Sequence, residues 1–236
     1  MRGTPEDSSF VLTPIAHLRN DFPTKFGLPR QSGLVETLQS EIVFVPEYRN
    51  PDALRGLEGY SHLWLIWGFS GFERSKWSPM VRPPRLGGNV RMGVFATRSP
   101  NRPNPLGLSC VKLLRINLGM DEPILSLTVG GADLMDGTPI FDIKPYLPYT
   151  DCRPAATGGF TDSSQFAALR VVFPDEWLSM VPPARVDTLL AILAGDPRPA
   201  YQDDPARRYG FGYAGLDVRF TVTGDVLTVV EVVRLR

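Results

Sequence analysis

Two stretches of the chain concentrate side chains that can do chemistry. The first, RMGVFATRSPNRPNPLGLS from Arg91 to Ser109, runs a short apolar segment into a turn rich in proline, arginine and asparagine. Pro100, Pro103 and Pro105 restrict the backbone there, so Arg98, Arg102 and Asn104 are held out at set angles, as recognition of a planar or anionic ligand requires. A rigid turn with solvated arginines fits the same residues. The second, DLMDGTPIFDIKPYLPYTD from Asp133 to Asp151, gathers four carboxylates, one lysine and two tyrosines into nineteen residues. Asp133, Asp136 and Asp142 fit turn or cap positions, and they equally fit the binding of a cation. A sulfonium ligand with an amino group, a ribose diol and a carboxylate needs acceptors and a cationic partner together. Asp133 and Asp136 with Arg98 supply both signs.

Several other chemistries are excluded. No Gly-x-Gly-x-x-Gly follows a strand, and PRLGGN has adjacent glycines without a following helix, so a dinucleotide-type sheet is not supported. There is no nucleophile elbow and no phosphate loop. Cys110, Cys152, His17 and His62 stand singly, without the short spacing that holds zinc, so no metal is expected. His62, inside the apolar GYSHLWLIWGF, reads by itself as a hydrogen-bonded core histidine, and GLPRQSG, with Arg30 and Gln31, reads by itself as an ordinary loop. The net charge of zero conceals an asymmetry: from Arg74 to Met120 there are nine Lys and Arg and no Asp or Glu, leaving nine net negative charges elsewhere. Folded onto one face, that window is a basic patch for a polyanion.

These residues need a frame that holds turns rigidly. With 23 Pro and 22 Gly in 236 residues, the sequence predicts short strands joined by ordered turns. Apolar or alternating runs at Leu38 to Pro46, His62 to Phe69, Gly93 to Thr97, Leu108 to Ile116 and Ile124 to Val129 predict a barrel or closed sheet. Pro51 to Leu57 predicts a short helix capped by Asn50. After the polar connector CRPAATGGFTDSS come a strand at Phe166 to Phe173, short helices at Pro174 to Met180 and Ala184 to Ala194, and a hairpin about Thr223, Gly224 and Asp225. The expected fold is mainly β, a small β-barrel over residues 1–156 with a smaller α/β domain over 157–236. The N-terminus lacks a secretory pattern and only two cysteines occur, which points to a reducing, cytoplasmic setting.

Beyond composition, the chain resembles the TrmO family (YaeB/TsaA-like) of tRNA methyltransferases. PRQ at Pro29 to Gln31, RGLEGYSHLW at Arg55 to Trp64, VRPPRLGGN at Val81 to Asn89, the two stretches above, and DPRPAY at Asp196 to Tyr201 carry the likeness. The resemblance implies a β-barrel that binds S-adenosylmethionine and methylates N6 of N6-threonylcarbamoyladenosine beside the anticodon of threonine tRNAs, as a homodimer with donor sites near the subunit interface. It implies donor contacts at Pro29, Arg30, Gln31, His62, Arg98, Leu108, Asp133, Leu134, Met135 and Asp136. By chemistry, Arg30 or Arg98 meets the methionine carboxylate, Asp133 or Asp136 the amino or ribose groups, and Leu108 the adenine. Asp136, His62 and Tyr146 are, in that order, the candidates for removing a proton. Arg82, Arg85, Arg102, Asn104 and Lys144 are expected to face RNA. A non-catalytic RNA-binding barrel and a small-molecule methyltransferase on the same fold are the alternatives.

Overall fold

The computed structural model describes residues 11–70, 77–83, 86, 89–119, 124–162, 168–198 and 204–235. In chain order the first strands are β1 Ala16–Arg19, β2 Gln39–Phe44, β3 His62–Gly68, β4 Met80–Val81, β5 Met92–Gly93, β6 Leu106–Asn117, β7 Ser126–Gly130 and β8 Pro139–Pro145. Six of them close into a barrel in the order β1-β2-β7-β6-β3-β8, with every neighbour antiparallel. Closure removes the exposed strand edges that so short a sheet would otherwise carry. The alternation of β3 shows why the sequence takes this form: Leu63, Leu65 and Trp67 point into the core, while His62, Trp64 and Ile66 point out. With Leu18, Ile42, Leu127, Val129 and Ile140 they form the barrel core, and each fully buried aliphatic side chain contributes about 1.5–3 kcal/mol.

Two expectations are corrected. The apolar run at Gly93 to Thr97 is a strand only in its first residue, because Val94–Ala96 forms a 3-10 turn. Thr97 closes that turn, its amide and its Oγ1 both donating to the Val94 carbonyl, at 3.1 and 2.9 Å. The helix expected from Pro51 to Leu57 is a 3-10 turn over Pro51–Leu54; Asn50 does cap it, accepting from the Asp52 amide at 3.0 Å. Gly56, in the left-handed region at φ 87°, ends any continuation.

The rest of the chain comprises α1 Pro148–Asp151, β9 Arg170–Val172, α2 Asp175–Leu178, α3 Val186–Ala194, β10 Tyr209–Tyr213, β11 Leu216–Thr223 and β12 Val226–Arg234. The last three strands form an antiparallel meander, and β9 adds in parallel to β12, giving the order β10-β11-β12-β9. Gly224, at φ 59°, makes the expected tight turn between β11 and β12. The core of this sheet recruits Phe22, Val35 and Leu38 from the β1–β2 connection. That connection is therefore the seam between the two cores, sewn by an Arg185–Asp21 ion pair at 2.7 Å and by Thr188 donating to the Thr37 carbonyl at 3.1 Å. Among the described residues no helix is long and apolar enough to cross a membrane.

Candidate active site

At the end of the barrel where β6 begins and β7 has ended, a polar chain reaches out of the core. The Trp67 indole N–H donates to Ser109 Oγ at 3.0 Å, and Ser109 donates to Asp133 Oδ1 at 2.6 Å. Ser109 is 1% exposed, so this path is dry. Burial pushes the Asp133 carboxyl above its usual range, opposed by the Ser109 hydroxyl, backbone amides including that of Ser32, and the charge of Arg98. The Ser32 side chain also accepts from the Cys110 amide at 3.2 Å, and Gly33 donates to the Gly131 carbonyl at 2.9 Å. The loop carrying Pro29, Arg30 and Gln31 is thereby wedged between β6 and the continuation of β7, beside Asp133 and two residues from Leu108.

Arg98 joins this loop to the proline-rich turn, donating through Nη1 to Gln31 Oε1. Arg30, on the same cavity wall, donates through Nη2 to the carbonyls of Asp196 at 2.8 Å and Arg198 at 3.2 Å. Asp196, a non-glycine residue at φ 53°, grips Arg198 with both carboxylate oxygens at 2.9 and 3.0 Å. Gln31, Arg98 and Arg198 share the wall of an open cavity of about 1630 Å³ with Arg82, Arg91 and Phe95. No Asp or Glu is among the described residues that line it. The acid-free window of the sequence thus gathers partly here, with Arg85 outside the described residues. Phe160 and Thr161 also line it, a contribution from beyond residue 156 that the sequence does not single out, beside Arg198 of the DPRPAY segment, which by its sequence is expected to extend the RNA-facing surface.

The structure sorts the other sequence candidates. Asp136 is not joined to Arg98: its carboxylate pairs with Arg19 at 3.4 Å and accepts from the Asn20 amide at 3.1 Å. Leu134 is buried in the barrel core, and Met135 accepts from the Thr138 hydroxyl at 2.7 Å inside the same turn. His62 and Tyr146 do meet, with ring centroids 6.2 Å apart, and the Ser61 hydroxyl lies 2.9 Å from His62 Nδ1. They sit on the outer face of the barrel, where His62 pairs with Lys112, three residues and roughly 10 Å along β6 from Ser109. Burial, and then Cys152, Cys110 and Asp151, raise the Tyr146 phenol above its usual value. Leu108, on that same outer face, is 54% exposed. Arg102 folds back to donate to the Thr97 carbonyl at 2.8 Å and the Ser99 carbonyl at 3.3 Å, so it holds the turn. Lys144 pairs with Asp142 at 2.8 Å and does not line the cavity, while Asn104 is exposed at the turn. Among the described residues no cluster of three His, Cys, Asp or Glu is arranged to hold a metal ion.

Comparison with known proteins adds an independent line. Residues 17–152 match the family model of the tRNA-methyltransferase O N-terminal domain, and residues 167–235 match that of the TrmO C-terminal domain. The tRNA (adenine(37)-N6)-methyltransferase of Escherichia coli (strain K12) is 42% identical over 224 residues, 92% of this chain and 94% of that protein. A Pseudomonas aeruginosa protein named RcsF, described as a candidate S-adenosylmethionine-dependent methyltransferase, is 38% identical over 89% of this chain and 91% of its own length. The crystal structure of TrmO from P. aeruginosa superposes with a TM-score of 0.79 at 32% identity, covering 98% of this chain and all of that one, 100%.

Proposed function

The chain belongs to the tRNA-methyltransferase O family of enzymes, and from that premise we propose that it transfers the methyl group of S-adenosylmethionine to N6 of N6-threonylcarbamoyladenosine beside the anticodon of threonine tRNA, in the cytoplasm. The observation that carries this reading is Arg98, which touches Gln31, acts on the half-buried Asp133, and opens onto a cavity whose described lining has arginines and no carboxylate. The residues fit the donor: Asp133 supplies an anionic acceptor for an α-amino group or ribose diol, and Arg98 with Gln31 supplies donors for a carboxylate. The donor, when bound, supplies an electrophilic methyl carbon on a cationic sulfur. The enzyme's own residues position the acceptor nitrogen in line with it and remove one proton.

A carbamoylated amine is a better acceptor for this site than a bare adenine amine. Its neighbouring carbonyl makes the N–H easier to remove, so a modest base suffices, and the threonyl carboxylate offers the arginines an anion to orient. We assign the proton to His62 acting beside Tyr146, because Asp136 is already committed to Arg19 and Asn20. That pair lies on the outer face with Leu106, Leu108 and Leu114, which are 36%, 54% and 42% exposed. An apolar stripe of this kind suits a second copy of the chain, and a homodimer would set His62 at the donor site. We divide the barrel over residues 1–156 from the C-terminal domain over 157–236, a reading supported by the interval between the two family-model matches.

The test is incorporation of labelled methyl from S-adenosylmethionine into threonine tRNA with and without the threonylcarbamoyl group. Incorporation confined to the modified tRNA is expected, unaffected by chelator; equal rates on the two RNAs, or none on either, sink the assignment.

A further inference from the structure

Phe95 is a large apolar side chain left 74% exposed on the wall of the arginine-lined cavity. We propose that Phe95 is the stacking platform for the target purine, an inference that rests on the function proposed above. The turn that carries the ring is formed before any ligand arrives. Val94, 1% exposed, anchors the 3-10 turn in the interior, and the doubled hydrogen bonding of Thr97 to the Val94 carbonyl closes it. The Arg102 guanidinium, itself held by the Thr97 and Ser99 carbonyls, lies over the ring with its carbon 6.0 Å from the centroid. A turn already formed adds no backbone-ordering cost when a base settles on the ring it carries.

The chemistry of the surroundings selects the occupant. An apolar partner would not be drawn to a wall that includes Arg82, Arg91 and Arg98 with no described carboxylate, whereas a nucleotide offers a π-face for Phe95 and phosphates for the arginines. Phe95 lies three residues before Arg98 and lines the same cavity as Arg98 and Gln31, so a purine on its ring shares that cavity with the pair where the methyl donor is placed. The target base sits in a single-stranded loop, and little unpairing opposes its capture.

The test is a double-mutant cycle on binding, using an anticodon stem-loop that carries threonylcarbamoyladenosine. Phe95→Ala should weaken binding by roughly 5- to 100-fold, the loss of one base–aromatic stack, and Phe95→Trp should restore it. An abasic residue at the target position should weaken wild-type binding to a similar extent, and combining it with Phe95→Ala should cost nothing more. Additive losses, unchanged binding by Phe95→Ala, or non-additivity only with an abasic residue at a neighbouring loop position would overturn the proposal. Thermal unfolding of Phe95→Ala should match wild type, since so exposed a ring contributes little to the core. Methyl incorporation by the wild-type protein into the intact stem-loop separates the two readings. Incorporation with an additive cycle defeats the stacking assignment alone, and no incorporation defeats both.

Discussion

Asp133 bears a charge that its surroundings disfavour, and a fold that tolerates this keeps the carboxylate for a partner. Because burial raises its pKa, the folded chain holds that proton more tightly than the unfolded one does, so its contribution to stability falls as pH rises from the ordinary carboxylate range through the raised value. Asp133→Asn removes the penalty and retains an acceptor for Ser109. Its melting temperature is expected to equal or exceed that of wild type at pH 7, with the difference vanishing in acid, while calorimetry shows donor affinity reduced more than tenfold, in line with about 2–5 kcal/mol for one partner of a desolvated charge pair. Asp136→Ala should behave in the opposite sense. It strips the acceptor from the Asn20 amide and from Arg19, costing about 1–2 kcal/mol of stability, and should leave donor affinity within about twofold of wild type. Reversed results for the two carboxylates would return the donor to Asp136.

At the scale of elements, the pairing of β3 with β6 builds the site, and a glycine makes it possible. Gly107 lies opposite Trp67, and a methyl group there would come within 2.2 Å of the indole ring. Gly107→Ala is expected to cost about 1–3 kcal/mol by overpacking and to shift Trp67 off Ser109, seen as a lower denaturation midpoint and a red-shifted tryptophan emission. Gly93→Ala, where an added methyl meets nothing within 4 Å, is the control and should stay within about 0.5 kcal/mol. The same elements show what can be read without coordinates. The alternation of LWLIW declares β3, and Gly224–Asp225 declares the hairpin, because each signal is local. Gly93 to Thr97 misleads because a short apolar run has no period to separate strand from turn. Strand β8 escapes notice because Pro139 and Pro145 bound it and Asp142 and Lys144 interrupt it; pairing with β1 and β3 on its two sides sustains it. Arg98 and Asp133 stand out in the sequence as charges. Trp67 and Ser109 do not, since their hydrogen bond spans 42 residues and exists only once the strands are in register.

For the whole molecule, the balance of 25 basic against 25 acidic residues means that no strong net field draws RNA to the surface from a distance. Attraction has to be local, and the fold makes it so by turning Arg82 and Arg91 onto one wall with Arg98 while Asp21, Asp136 and Asp217 are taken up in ion pairs with arginines elsewhere. Arg82 and Arg91 are both exposed, and neither takes part in the Arg98–Gln31 contact or in the surroundings of Asp133. If each meets a phosphate, each releases close to one condensed counterion, and the slope of log affinity against log salt carries about 0.7–0.9 per contact. Arg82→Ala with Arg91→Ala should therefore make that slope shallower by about 1.4–1.8. Affinity for S-adenosylmethionine should not change, because the partners proposed for it are Asp133, Gln31 and Arg98. The two effects separate a phosphate track from a structural cluster: arginines that only brace the cavity would lower the melting temperature and leave the slope as it was. A shallower slope with intact melting and intact donor binding would place the RNA backbone along this wall, with Phe95 beside it to take the base.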